Sequence, residues 1–143
     1  MTSQITVLLV TDDPDLLDAL GFALNHRGYH VIPAVSGDRA VDLLLRQLPD
    51  IAVLDMLLPG QSGFQLTRLL KERSDGRVPV VMISDHTAQA HRDYAFAAGV
   101  DWFLEKWLAP ARLLEAVEML CPPPVEIRRP GSGSLPRPAA TPA

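Results

Sequence analysis

Short aliphatic runs alternate along the chain with segments of helical period. ITVLLV (5–10) precedes DLLDALGFALNHRG (15–28), YHVIPAV (29–35) precedes DRAVDLLLRQL (38–48), and IAVLDM (51–56) precedes SGFQLTRLLKER (62–73). The beat continues with VPVVMIS (78–84), AQAHRDYAFAAG (89–99), DWFLE (101–105) and APARLLEAVEML (109–120). The runs show no polar alternation, as expected of strands that helices cover on both faces of a parallel sheet. Five β-α units at this spacing predict an α/β domain built on an open, doubly wound parallel sheet. Punctuation agrees. Gly28 and Gly99 stand where helices should stop, Pro49 and Pro79 stand just before or at strand starts, and Pro14 and Pro110 occupy first-turn positions that tolerate a missing N–H.

The pattern ends at Cys121. Of the 22 residues 122–143, seven are Pro and two are Gly, and no period survives. We therefore divide the chain into a domain over 1–121 and a Pro/Gly-rich flexible tail over 122–143. Arg128, Arg129 and Arg137 against Glu126 give the tail +2, which leaves −6 on the domain out of the chain's −4. Such a tail reads as a solvated terminus, or as a docking segment in which Val125, Ile127 and the two adjacent arginines meet a partner or the acidic face of another copy.

At 143 residues one domain with a real core is expected. A net charge of −4 offers no surplus of Lys and Arg for phosphates, so direct nucleic acid binding is not expected. The amino-terminal MTSQITVLLVTDD has no basic leader, and its apolar run meets acids after six residues, too short for a secretion signal or a membrane span. Together with one cysteine that has no intrachain partner, this predicts a cytoplasmic protein without a membrane anchor.

In an open parallel sheet the carboxyl ends of the strands emerge on one edge, and ligands bind there. The polar residues at those ends are Thr11, Asp12 and Asp13, then Asp55, Ser84 and Lys106. Asp13 before Pro14 has the character of a helix cap, more than of a metal ligand. Asp12 would be redundant as a second cap. Asp55 lies inside an otherwise apolar strand, where an unpaired charge is expensive, so chemistry is the better account of it. Ser84 taken alone could cap a helix, and Lys106 alone could decorate the surface; their joint placement favours a site. Two carboxylates within about 4 Å repel by roughly 1–4 kcal/mol, and a hard cation with oxygen ligands relieves that repulsion. Mg²⁺ fits best. A carboxylate beside a cation, an ammonium and a hydroxyl can accept a phosphoryl group.

These residues resemble the receiver domain of two-component response regulators over about residues 4 to 120, most specifically at PDIAVLDMLLPGQSG (49–63). The resemblance implies a flavodoxin-like (βα)5 fold with five strands in the order 2-1-3-4-5. It implies that Asp55 is the phosphoacceptor and that Asp12, Asp55 and the Leu57 backbone carbonyl hold Mg²⁺. Ser84 and Phe103 match the switch residues, and Lys106 the lysine that pairs with the phosphoryl group. The module is then no enzyme beyond its own phosphorylation and dephosphorylation. Its implied partners are a sensor histidine kinase or phosphotransfer protein, and a downstream protein or a second copy that reads a change on the face of the fourth helix, fifth strand and fifth helix.

Two departures stand out. Thr11 occupies the place of an acid that normally holds the metal through a water. A hydroxyl can hold that water but brings no charge, which predicts weaker Mg²⁺ binding. Trp107 replaces the proline that usually follows the lysine, which predicts a differently built loop around Lys106, with Trp107 either packed against a partner or filling the core. Both departures also suit a different class of protein, a pseudo-receiver that acts by contact or dimerisation without phosphate. As functions, a flavodoxin, a dinucleotide-binding protein, a haloacid-dehalogenase-type phosphatase and a cobalamin-binding domain are excluded by their missing motifs: the phosphate loop, the glycine triad, the second acid and the histidine.

Overall fold

A computed structural model describes residues 4–123 of the chain. The tail expected over 122–143 lies outside that range apart from Pro122 and Pro123. The elements run β1 (Thr6–Val10), α1 (Pro14–His26), β2 (His30–Ala34), α2 (Gly37–Arg46), β3 (Ile51–Asp55) and α3 (Gly63–Ser74), followed by β4 (Val80–Ser84), α4 (Gln89–Ala98), β5 (Trp102–Glu105) and α5 (Ala109–Leu120). All five strands are parallel, in the order β2-β1-β3-β4-β5, so the flavodoxin-like topology is as expected. A 3-10 turn at Lys106–Leu108, which the periodicity did not reveal, joins β5 to α5.

Strand side chains alternate between two cores. Val7, Leu9, Ile51, Val53, Val81 and Ile83 face α1 and α5, where Leu20, Leu24, Leu113 and Val117 meet them. Leu8, Val10, Leu54, Met82 and Phe103 face the opposite layer, formed by α2, α3 and α4 through Ala40, Leu44, Leu66, Leu70 and Ala95. Each fully buried aliphatic side chain contributes roughly 1.5–3 kcal/mol. The central strands β3 and β4 are buried at every position, which explains why their sequences carry no polar alternation.

The helices begin where their caps dictate. The Asp13 carboxylate accepts the N–H groups of Asp15 and Leu16 ahead of Pro14, and Ser62 and Gln65 form a reciprocal capping box at α3. By contrast α4 has Ala88 at its N-cap position and no side-chain cap, so Ser84 does not serve it as one. Pro33 lies exposed within β2, an edge strand, where a missing donor is tolerated. Gly63 opens α3 so close to β3 that a Cβ there would collide with the Asp55 carbonyl. Its N–H also binds the Met56 carbonyl at 2.9 Å, pinning the segment that follows Asp55.

Candidate functional site

The parallel register brings the polar strand ends to one rim. Val10 pairs with Leu54, so Thr11 and Asp55 follow side by side, while Asp55 pairs with Ile83 and Ser84 with Glu105. Asp12, Asp55, Leu57, Ser84, Asp85, His86 and Lys106 line one cleft of about 190 Å³ at this rim. Asp55 is 4% exposed and sits at the floor.

Two donors converge on a single oxygen of Asp55. The Lys106 Nζ lies 2.8 Å from Oδ2, and the Thr11 hydroxyl donates to the same oxygen at 3.0 Å. Among the described residues the only buried side-chain polar atom without a partner is His91 Nδ1. Asp55 Oδ1, which no described residue bonds, therefore opens to the cleft. Burial alone would pull the Lys106 pKa down. The hydrogen bond it donates to Asp55 and then the charges of Asp55, Asp85 and Asp12 outweigh it, and the ammonium is held above its ordinary value.

Thr11 is completely buried, and its N–H binds the Ala34 carbonyl at 3.1 Å. Besides donating to Asp55, its hydroxyl accepts the Asp13 N–H at 3.2 Å. The Ser84 hydroxyl accepts the His86 N–H at 2.8 Å, and its own hydrogen reaches either the His86 carbonyl at 3.3 Å or Met56 Sδ at 3.5 Å. It is thus engaged within its own loop. Phe103 is 8% exposed. Above its ring, 4.9 Å from the centroid, lies the guanidinium of Arg92, which also donates to the Thr87 carbonyl at 3.1 Å and to Glu105 at 3.2 Å.

The structure thus gathers Asp12, Asp55, Leu57, Ser84 and Lys106 around one cleft and gives Asp13 to the α1 cap. The missing proline does not carry Lys106 away from Asp55; the 3-10 turn delivers it. Trp107 is 75% exposed and is no core filler. Sequence reasoning passed over Asp85 and His86, although their place directly after Ser84 at a strand end was a usable signal. It also missed the direct bond from Thr11 to Asp55.

As for a cation, the described residues contain no group of three or more His, Cys, Asp or Glu side chains able to hold a metal. Mg²⁺ needs less, because one or two carboxylates and several waters satisfy it. Asp12, Asp55 and Leu57 all line the cleft, so a donor set of that size is compatible with its walls. No described helix is long and apolar enough to cross a membrane.

Residues 7–118 match the response regulator receiver domain family. An uncharacterised 14.6 kDa protein of Leptolyngbya boryana is 32% identical over 120 residues, which span 83% of this chain and 92% of that protein. Among solved structures, a CheY-like response regulator receiver domain protein from Methanospirillum hungatei is 25% identical with a TM-score of 0.76, covering 82% of this chain and 94% of its own. A two-component response regulator of the LuxR family from Aurantimonas is 31% identical with a TM-score of 0.73, covering 82% of this chain and 85% of its own.

Proposed function

Because the chain belongs to the response regulator receiver domain family, we propose that it accepts a phosphoryl group on Asp55 and signals through a change in the face made by α4, β5 and α5. The observation that carries this reading is the Lys106 ammonium 2.8 Å from one oxygen of a buried Asp55 whose other oxygen opens to the cleft. In this reading Oδ1 attacks the phosphorus of a phosphohistidine on a sensor kinase or phosphotransfer protein, or of a small phosphodonor. An O–P bond forms as the donor's P–N or P–O bond breaks, and the leaving group departs with the electron pair. Lys106 turns from the carboxylate to a phosphoryl oxygen, and the Ser84 hydroxyl leaves its loop to donate to another. Asp12, Asp55 and the Leu57 carbonyl would hold Mg²⁺, which supplies charge neutralisation for the phosphoryl oxygens. With a threonine in place of an acid, that hold is weaker by a part of the roughly 1–4 kcal/mol that one neighbouring charge is worth at about 4 Å.

The test is intact mass after incubation with acetyl phosphate and Mg²⁺. The natural protein should gain one phosphoryl group and Asp55→Asn should gain none. A natural protein that gains nothing would favour the second reading, a pseudo-receiver that works by contact or dimerisation. Two observations speak for it: a neutral threonine, Thr11, stands against Asp55 in the place of an acid, and Trp107 is exposed beside the cleft.

A further inference from the structure

We propose that Thr11 is a positioning residue for phosphoryl transfer, selecting which oxygen of Asp55 takes the phosphoryl group. The inference rests on Asp55 being the acceptor. A carboxylate is twofold symmetric, so either oxygen can serve unless the surroundings distinguish them. Here they do, because Oδ2 receives both Thr11 Oγ1 and Lys106 Nζ, while Oδ1 keeps its lone pairs for the cleft.

The direction of the Thr11 bond is fixed by hydrogen count. A threonine hydroxyl has one hydrogen and two lone pairs. One lone pair takes the Asp13 N–H, and an ionised Asp55 can only accept, so the hydrogen goes to Asp55. Backbone pairing to Ala34 and complete burial leave the side chain little freedom to do otherwise. An ionised acid at position 11 could not make this bond at all, since it has only acceptors to offer and would repel Asp55. The threonine therefore does more than subtract a charge from a metal site; it adds a donor on the acceptor itself.

The two donors also differ in what happens next. Lys106 moves to the incoming phosphoryl group, whereas Oδ2 becomes the carbonyl oxygen of the acyl phosphate. Thr11 can keep donating to it before, during and after transfer, so Thr11 holds the carboxyl plane during the interval in which Lys106 lets go.

The experiment compares the natural protein with Thr11→Ser, which keeps the donor, and with Thr11→Val and Thr11→Ala, which remove it with and without conserved volume. Two readouts are taken: the ¹³C carboxyl resonance of Asp55 in metal-free protein, assigned by its loss in Asp55→Asn, and the rate of loading from phosphoramidate by intact mass across a Mg²⁺ titration. We expect Thr11→Ser to retain the resonance and most of the rate. Thr11→Val and Thr11→Ala should shift the resonance and slow loading about tenfold at saturating Mg²⁺, the order of one hydrogen bond to a charged group. Natural-rate loading by the donor-free variants, or a loss that higher Mg²⁺ restores, would overturn the positioning role and leave Asp55 standing as acceptor. A shifted resonance in the variants with no loading of the natural protein would instead remove the acceptor, and the positioning role with it.

Discussion

Asp55 and Tyr29 show how differently the chain treats two buried polar side chains. Asp55 is surrounded by charge and hydroxyl groups at the open rim, whereas Tyr29 is buried in the α1 and α5 layer and donates to the Cys121 carbonyl at 3.0 Å. Burial, then the charges of Glu118 and Cys121, push the Tyr29 pKa up to about 12, against a small opposing effect of Arg27. An unfolded tyrosine ionises near 10, so above that pH the unfolded chain releases a proton that the folded one still holds. The contribution of Tyr29 to stability is therefore complete below about pH 10 and is lost as the pH rises toward 12, by roughly 1–3 kcal/mol. Urea unfolding across this range should fall less steeply for Tyr29→Phe than for the natural protein; parallel curves would show that the phenol is not the titrating group. Little of this was legible beforehand. Tyr29 reads as the first residue of a strand, and only the approach of the α5 terminus, 92 residues away, buries its hydroxyl. The Thr11 bond was hidden for a similar reason: it depends on the β1–β3 register, which hydrophobic pattern does not supply.

Elements were far easier to read than contacts. Every strand and helix lies where the alternation of aliphatic runs and helical period places it, because strands covered on both faces have no polar positions to blur them. What the pattern could not give was the 3-10 turn or the exposure of Trp107, since a three-residue turn has no period. The capping differences have energetic consequences. Ser62→Ala, which dismantles the α3 capping box, should cost about 1 kcal/mol in thermal or denaturant unfolding. Ala88→Ser, which offers α4 the cap it lacks, should stabilise by about 0.5–1 kcal/mol. If both substitutions were neutral, helix ends would not be what limits these elements. Gly63→Ala is a harsher change, because the added methyl meets the Asp55 carbonyl; it should lower phosphoryl loading as well as stability.

At the scale of the whole molecule, the cleft and the α4 face are joined by a short physical path. Ser84 Oγ holds the His86 backbone, and the Thr87 carbonyl next to it is held by Arg92, which also reaches Glu105 and covers Phe103. A Ser84 that turned toward a phosphoryl group would release its hold on this loop and disturb the Arg92 contacts on α4 and β5. Such a path would act by shifting the balance between two arrangements of the loop, and would not need to create a new one. Amide exchange with and without beryllofluoride and Mg²⁺ should change across residues 84–108 while the β1 and β3 amides keep their protection. Identical exchange in that segment would leave the path without a signal to carry.

Pro33 bears on how copies of this protein can meet. The outer margin of β2 is one of two places where another backbone could be annexed to the sheet, and proline leaves it a hydrogen short there. Continuous β polymers are thereby discouraged on that flank.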